Sequence, residues 1–170
     1  MQRVLVIGIP GAGKSTFSRQ LAARTGLPLI HLDKEFWQPG WKVTPRDVWR
    51  PKVAALVARD AWVMDGNYDS SLDLRLPRAD TVMWFDYPRR VALPRVLWRV
   101  ATTYGRVRAD LALGCPEQID LDFLRYVWEF PRKERPRVVA SLAEHARHLQ
   151  PIVFRRDRDV ARFLDGLPAT

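Results

Sequence analysis

The residues with the clearest chemical capacity lie near the start of the chain, in "GIPGAGKST" from Gly8 to Thr16. Gly8, Gly13, Lys14 and Ser15 fit the spacing G-x-x-x-x-G-K-[ST], the P-loop pattern, in which a glycine-rich turn leads from a strand into a helix. Phosphate recognition calls for these residue types. Backbone N–H groups must converge on phosphate oxygens, and Gly8, Gly11 and Gly13 permit the tight turns and close approach this needs. The N-terminus of the following helix adds partial positive charge. Lys14 is expected to neutralise the β- and γ-phosphates, and the Ser15 hydroxyl to ligate Mg²⁺. Gly8, Pro10, Gly11, Ala12, Gly13, Lys14, Ser15 and Thr16 together are the expected cradle for a nucleoside triphosphate, with ATP and Mg²⁺ as cofactors. Such loops serve GTPases, ATP-driven machines and small kinases alike, so the donor is specified before the reaction is. There is no Asn-Lys-x-Asp guanine-reading motif, and the chain is short for a motor. A small phosphotransferase is the expectation.

A transfer reaction needs an acceptor side. Asp33 closes the apolar run "LIHLD" and Asp65 closes "WVMD". At the carboxyl ends of parallel strands both would face the ligand crevice. Asp65 suits a water-mediated role at Mg²⁺, and Asp33 suits binding an acceptor hydroxyl or taking its proton. Trp37 and Trp41, in the turn-rich "KEFWQPGWK", are candidates for an aromatic pocket wall. Arg95 and Arg99 are four residues apart on one expected helix face. Arg132 and Arg135 flank an expected helix break and are candidates to close over the transferring phosphoryl group, as such chemistry requires cations there. His31 reads as a packed core residue, Asp86 as a helix cap, and His145 and His148 as surface residues.

The elements that must hold these residues follow from periodicity. Buried strands are expected at 3–8, 28–33, 61–65, 80–86 and 151–155, alternating with helices at 14–25, about 44–59 (Thr44 as cap), 88–103, from 121 onward with interruptions at Pro131 and Pro136, and 159–167. Residues 104–119 read as loop, and 104–137 as a lid or insert within a single domain spanning 1–170. Alternating strands and helices imply an α/β fold with a parallel sheet covered on both faces.

Composition narrows the partners. The net charge is +9. Only five of the 28 basic residues are lysine, and the stretch from Arg89 to Arg137 holds eleven basic and six acidic residues. An anionic small substrate and nucleic acid both suit that excess. No apolar run is long enough for a membrane span, and no signal peptide is evident. The one cysteine, Cys115, forms no internal disulfide and suits a reducing, cytoplasmic setting.

"GIPGAGKST", "HLD…FWQPGW", "WVMDGNY", "LDLRLPRADTV", "FDYPR" and "GCPEQIDLDFLRYVW", in this order, resemble the bacterial topology-modulation (FlaR-type) proteins, small P-loop proteins similar to adenylate kinase. The resemblance runs from about Arg3 to Phe163. It implies a three-layer P-loop fold with a five-stranded parallel sheet in the order 2-3-1-4-5 and a helical lid. It also implies an ATP/Mg-dependent nucleotide or small-molecule kinase; the alternative is a nucleotide-gated regulator that binds nucleic acid and affects DNA topology. Adenylate kinases carry Asp-Gly-Phe-Pro-Arg after the third strand, whose arginine grips the acceptor phosphate. Here Asp65 and Gly66 match but Asp69 stands at the arginine position, which departs from the family and counts against AMP as acceptor unless Arg75 or Arg78 takes that role. Asp86, Pro88, Arg95 and Arg99 match the family's "FD-x-P" turn and its following arginines, which implies that Arg95 and Arg99 face nucleotide phosphates or the base.

Overall fold

The computed structural model describes residues 1–145, 148, 149 and 151–167. Its first strand, β1 (Arg3–Gly8), is the centre of a sheet because its side chains are apolar on both faces. Val4 and Val6 point to one side, and Leu5 and Ile7 to the other. Helix α1 (Lys14–Thr25) follows, then β2 (Leu29–His31), the short α2 (Leu32–Phe36), β3 (Trp37–Gln38), β4 (Lys42–Val43) and α3 (Arg46–Val57). Next come β5 (Trp62–Asp65), the short α4 (Leu72–Arg75), β6 (Thr81–Phe85), α5 (Arg89–Thr103), α6 (Leu121–Glu144), β7 (Pro151–Phe154) and α7 (Asp157–Asp165).

Five strands form one all-parallel sheet in the order β2-β5-β1-β6-β7. The expected order 2-3-1-4-5 takes these labels because a separate two-stranded hairpin, β3–β4, lies between β2 and β5 in the chain. On one face of the sheet Leu5, Met64 and Val82 pack with Trp49, Val53 and Leu56 of α3. On the other, Val4, Val63 and Met83 pack with Phe17 and Leu21 of α1, Val96 of α5 and Leu164 of α7. Among the described residues no helix is long and apolar enough to cross a membrane.

Four local expectations change. The second strand stops at His31, and Asp33 lies in the first turn of α2. Thr44 does not cap α3; its hydroxyl donates to the Phe36 carbonyl, and the helix starts after Pro45. Asp86 caps no helix either, because its carboxylate is taken by Arg135 at 2.8 Å and approached by Arg155 at 3.7 Å. The fourth change is the largest. α6 runs unbroken for 24 residues through Pro131 and Pro136. Each proline removes one backbone hydrogen bond. Buried Val127 and Phe130 anchor the helix before the prolines, and Val138 and Leu142 after them, so packing outweighs the local penalty.

Candidate functional site

The glycine loop between β1 and α1 is shaped by what surrounds it. Gly8 and Gly11 both have positive φ. A Cβ on Gly8 would stand 2.3 Å from the Phe85 carbonyl oxygen, and one on Gly11 would stand 2.4 Å from that of Ala92. These two glycines let the loop lie against the end of β6 and the start of α5. Gly13 differs: a Cβ there would meet no atom within 4 Å, and its φ of 92° alone demands glycine. The loop is tied to the segment after β5 as well, since the Gly8 amide donates to Asn67 Oδ1 at 2.9 Å.

Lys14 folds back over this loop. Its ammonium donates to the Gly8 and Ile9 carbonyls at 2.8 and 3.1 Å. Burial lowers its pKa, and the nearby charges of Asp65 and Asp33 partly restore it. Asp65 is buried beside His31, whose Nδ1 lies 3.1 Å from Asp65 Oδ2. The register explains the pair: His31 and Asp65 are directly opposite on neighbouring parallel strands. Asp33 receives the Tyr68 hydroxyl on Oδ1 at 2.6 Å. Burial raises the Asp33 carboxyl above its usual range, against the Tyr68 hydrogen bond.

These groups open onto one cavity of about 1120 Å³ at the carboxyl ends of the strands. Pro10, Gly11, Gly13, Lys14, Ser15 and Thr16 form its floor on the loop side, with Asp33, Trp37, Trp41 and Asp65 beyond. Arg95 and Arg99 line it from α5. Gly8 and Ala12 are set back from the cavity lining, Gly8 in β1 and Ala12 in the core. A smaller cavity of about 440 Å³ lies next to it, between α1 and α7, and Arg95 and Thr16 line both. Arg95 is held there by Asp157 at 2.6 Å.

Three expected arginines are elsewhere. Arg75 is fully buried, and its guanidinium donates to the carbonyls of Gly66, Asn67, Tyr68 and Ser71. Its charge braces the loop after β5, and burial lowers its pKa to about 10. Arg132 and Arg135 do not line the cavity; continuity of α6 turns Arg135 toward Asp86 and the Trp84 ring. The cation not expected is Arg108, which lines the cavity beside the expected Arg99; both are drawn to buried Glu117, at 3.1 and 3.2 Å.

Several lining residues had no visible signal in the sequence. Residues 104–119 carry Arg108, Asp110 and Glu117 into the cavity wall. Asp110 is buried, which favours protonation, but Arg108, its backbone hydrogen bond and the Ser15 hydroxyl hold it below the usual carboxylate range. This segment is fixed to the β3–β4 hairpin. Gly40 N donates to the Gly114 carbonyl at 2.8 Å, Trp41 Nε1 to that of Pro116 at 2.9 Å, and Cys115 Sγ to that of Gln38 at 3.2 Å. The hairpin strands are two residues each, too short for any periodic pattern. His145 is tied locally, to the Ser141 carbonyl, while His148 lies 3.4 Å from the distant Leu76 carbonyl.

The arrangement places a helix N-terminus, Lys14 and four arginines (Arg19, Arg95, Arg99 and Arg108) in one cleft with buried carboxylates. That suits binding of a polyanion on one side and proton handling on the other. No protein-family model matches the chain, and no curated protein matches it in a sequence search.

Proposed function

We propose that this chain is a small ATP- and Mg²⁺-dependent phosphotransferase, of the P-loop kind that adenylate kinases and topology-modulation proteins represent. The observation that carries the reading is convergence: Lys14, Asp33 and Asp65, separated in sequence, share one cavity with the glycine loop.

The chain's own groups divide the work. Lys14 exchanges its two loop carbonyls for β- and γ-phosphate oxygens, and the first amides of α1 supply further donors. Arg99 and Arg108 leave Glu117 to meet the charge that develops on the transferring group. Arg95, shared by both cavities, suits the ribose or base side of the nucleotide. Among the described residues no cluster of three acidic, histidine or cysteine ligands is present. That fits Mg²⁺, which takes few protein ligands and completes its shell with water and phosphate. Ser15 and Asp65 would hold it, and bound there it neutralises phosphate charge. Asp33, with one oxygen held by Tyr68, takes the acceptor proton.

The test is ADP release from Mg-ATP over a panel of hydroxyl acceptors. Lys14→Ala should lower acceptor-stimulated release by at least about 100-fold, the scale of losing a principal transition-state cation. Equal stimulation in Lys14→Ala and wild type would refute the assignment.

A further inference from the structure

Asp65 and His31 are both buried, but they stand differently toward the cavity. Asp65 lines it and His31 does not. His31 is the last residue of the edge strand β2, directly opposite the last residue of β5, so its ring lies behind the carboxylate. Its Nδ1 is 3.1 Å from Asp65 Oδ2, and among the described residues no other side chain donates to that carboxylate.

The strand itself asks for no polar group at position 31. Ile30 and Leu32 on either side are buried in the core, and an aliphatic residue between them would serve the sheet as well. What histidine adds is a donor. An ionised carboxylate only accepts, so Nδ1 carries the proton that joins the pair. A buried carboxylate without such a donor is costly, and its terminal torsion is broad unless a partner fixes it. Lys14 gives that freedom a consequence, because Asp65 is the foremost of the charges that favour its protonated form. A carboxylate free to turn would pair with the ammonium, and both groups would be lost to the nucleotide.

Resting on the phosphotransferase reading, we infer that His31 is a positioning residue for Mg²⁺: by holding Oδ2 of Asp65 from behind, it keeps the other carboxylate oxygen for the metal site and leaves Lys14 to the phosphates. A side chain that orients a metal ligand in this way sets the affinity, and its loss costs about 10- to 100-fold.

The test reads metal binding rather than turnover. Affinity of the full chain for a fluorescent ATP analogue is measured in EDTA and again with saturating Mg²⁺, and the ratio is the tightening due to the metal. His31→Leu and His31→Met remove the donor and keep much of the bulk, whereas His31→Asn keeps an N–H at the place of Nδ1. The first two should each lower the ratio by about ten-fold with affinity in EDTA unchanged, and His31→Asn should keep it near the wild-type value. A lower Tm with an unchanged ratio would make the pair purely structural and overturn the inference. If neither donorless variant folds, NMR of the wild type decides. The chain has three histidines, so the ring ¹⁵N signals of His31 are identified by their loss in His31→Asn. Nδ1 should carry a proton, and its resonance should move when Mg²⁺ joins a bound non-hydrolysable ATP analogue. A bare Nδ1, or a resonance that Mg²⁺ leaves in place, overturns the assignment while nucleotide binding stands. No binding of the analogue, with or without Mg²⁺, overturns the proposed function and this inference with it.

Discussion

Asp33 holds its proton longer than an ordinary aspartate because burial disfavours its charge, and the Tyr68 hydroxyl only partly offsets that. In the folded state the group therefore binds more protons than in the unfolded chain. Stability contributed by Asp33 is complete below its unfolded pKa and is lost as pH rises through the folded one. Asp33→Asn keeps an oxygen for Tyr68 and removes the charge, so it should raise Tm at pH 8, by about 3 °C, while abolishing acceptor-stimulated turnover. The gain should shrink toward pH 4, and thermal melts across that range check the sign. A Tm that falls equally at both ends would mean that Asp33 is held as a structural anion. Lys14 and Asp65 were legible because the strand-loop-helix pattern sets their places. Asp110 and Glu117 were not, since their role comes from a loop folding back across more than 90 residues of chain to reach Ser15 and across 18 to reach Arg99. Arg75 misled for a related reason: the family resemblance offers it as a stand-in for an arginine without revealing that its guanidinium faces four carbonyls.

Among the elements, the strands of the sheet were readable from their continuous apolar runs, within a residue or two at each end. The β3–β4 hairpin and the intact α6 were not. A hairpin of two-residue strands is held by contacts to residues 114–116, and no local pattern encodes those. α6 shows the opposite conflict, in which Pro131 and Pro136 argue for breaks and the packed stripe argues for continuity. Pro136 is exposed, so its ring makes little core contact while its missing N–H still weakens the helix. Pro136→Ala should therefore stabilise the protein by about 2 kcal/mol, or roughly 6 °C in Tm. A loss of stability would show that Pro136 itself supports the packing of Val138 and Leu142 in the core.

For the whole molecule, ligand and fold should be coupled through the cavity, since loop, hairpin and α5 all contribute to its walls. Mg-ATP at about 100 times its Kd should raise stability by about 2.7 kcal/mol, a Tm increase of roughly 8 °C for a domain of this size. Mg²⁺ alone should move Tm little, because the proposed function gives it only Ser15 and Asp65 as protein ligands, with phosphate and water completing its shell. A shift with Mg²⁺ equal to that with Mg-ATP would place the metal at a site independent of the nucleotide. α6 also limits how the molecule closes. Its first half is embedded with Val4 and Phe17 on one side of the sheet, and its second half with Leu5 and Trp49 on the other. Such a helix acts as an axle fixed in two bearings, and any swing that freed one end would strip packing from the other. The travelling part is then the arm before it. Gly105, with φ of 73° and open space where a Cβ would be, and the Asp120 cap of α6 mark its two pivots. On the proposed function, any closure over a nucleotide would have to turn residues 106–119 together with the β3–β4 hairpin bonded to them, while both faces of the sheet stay still.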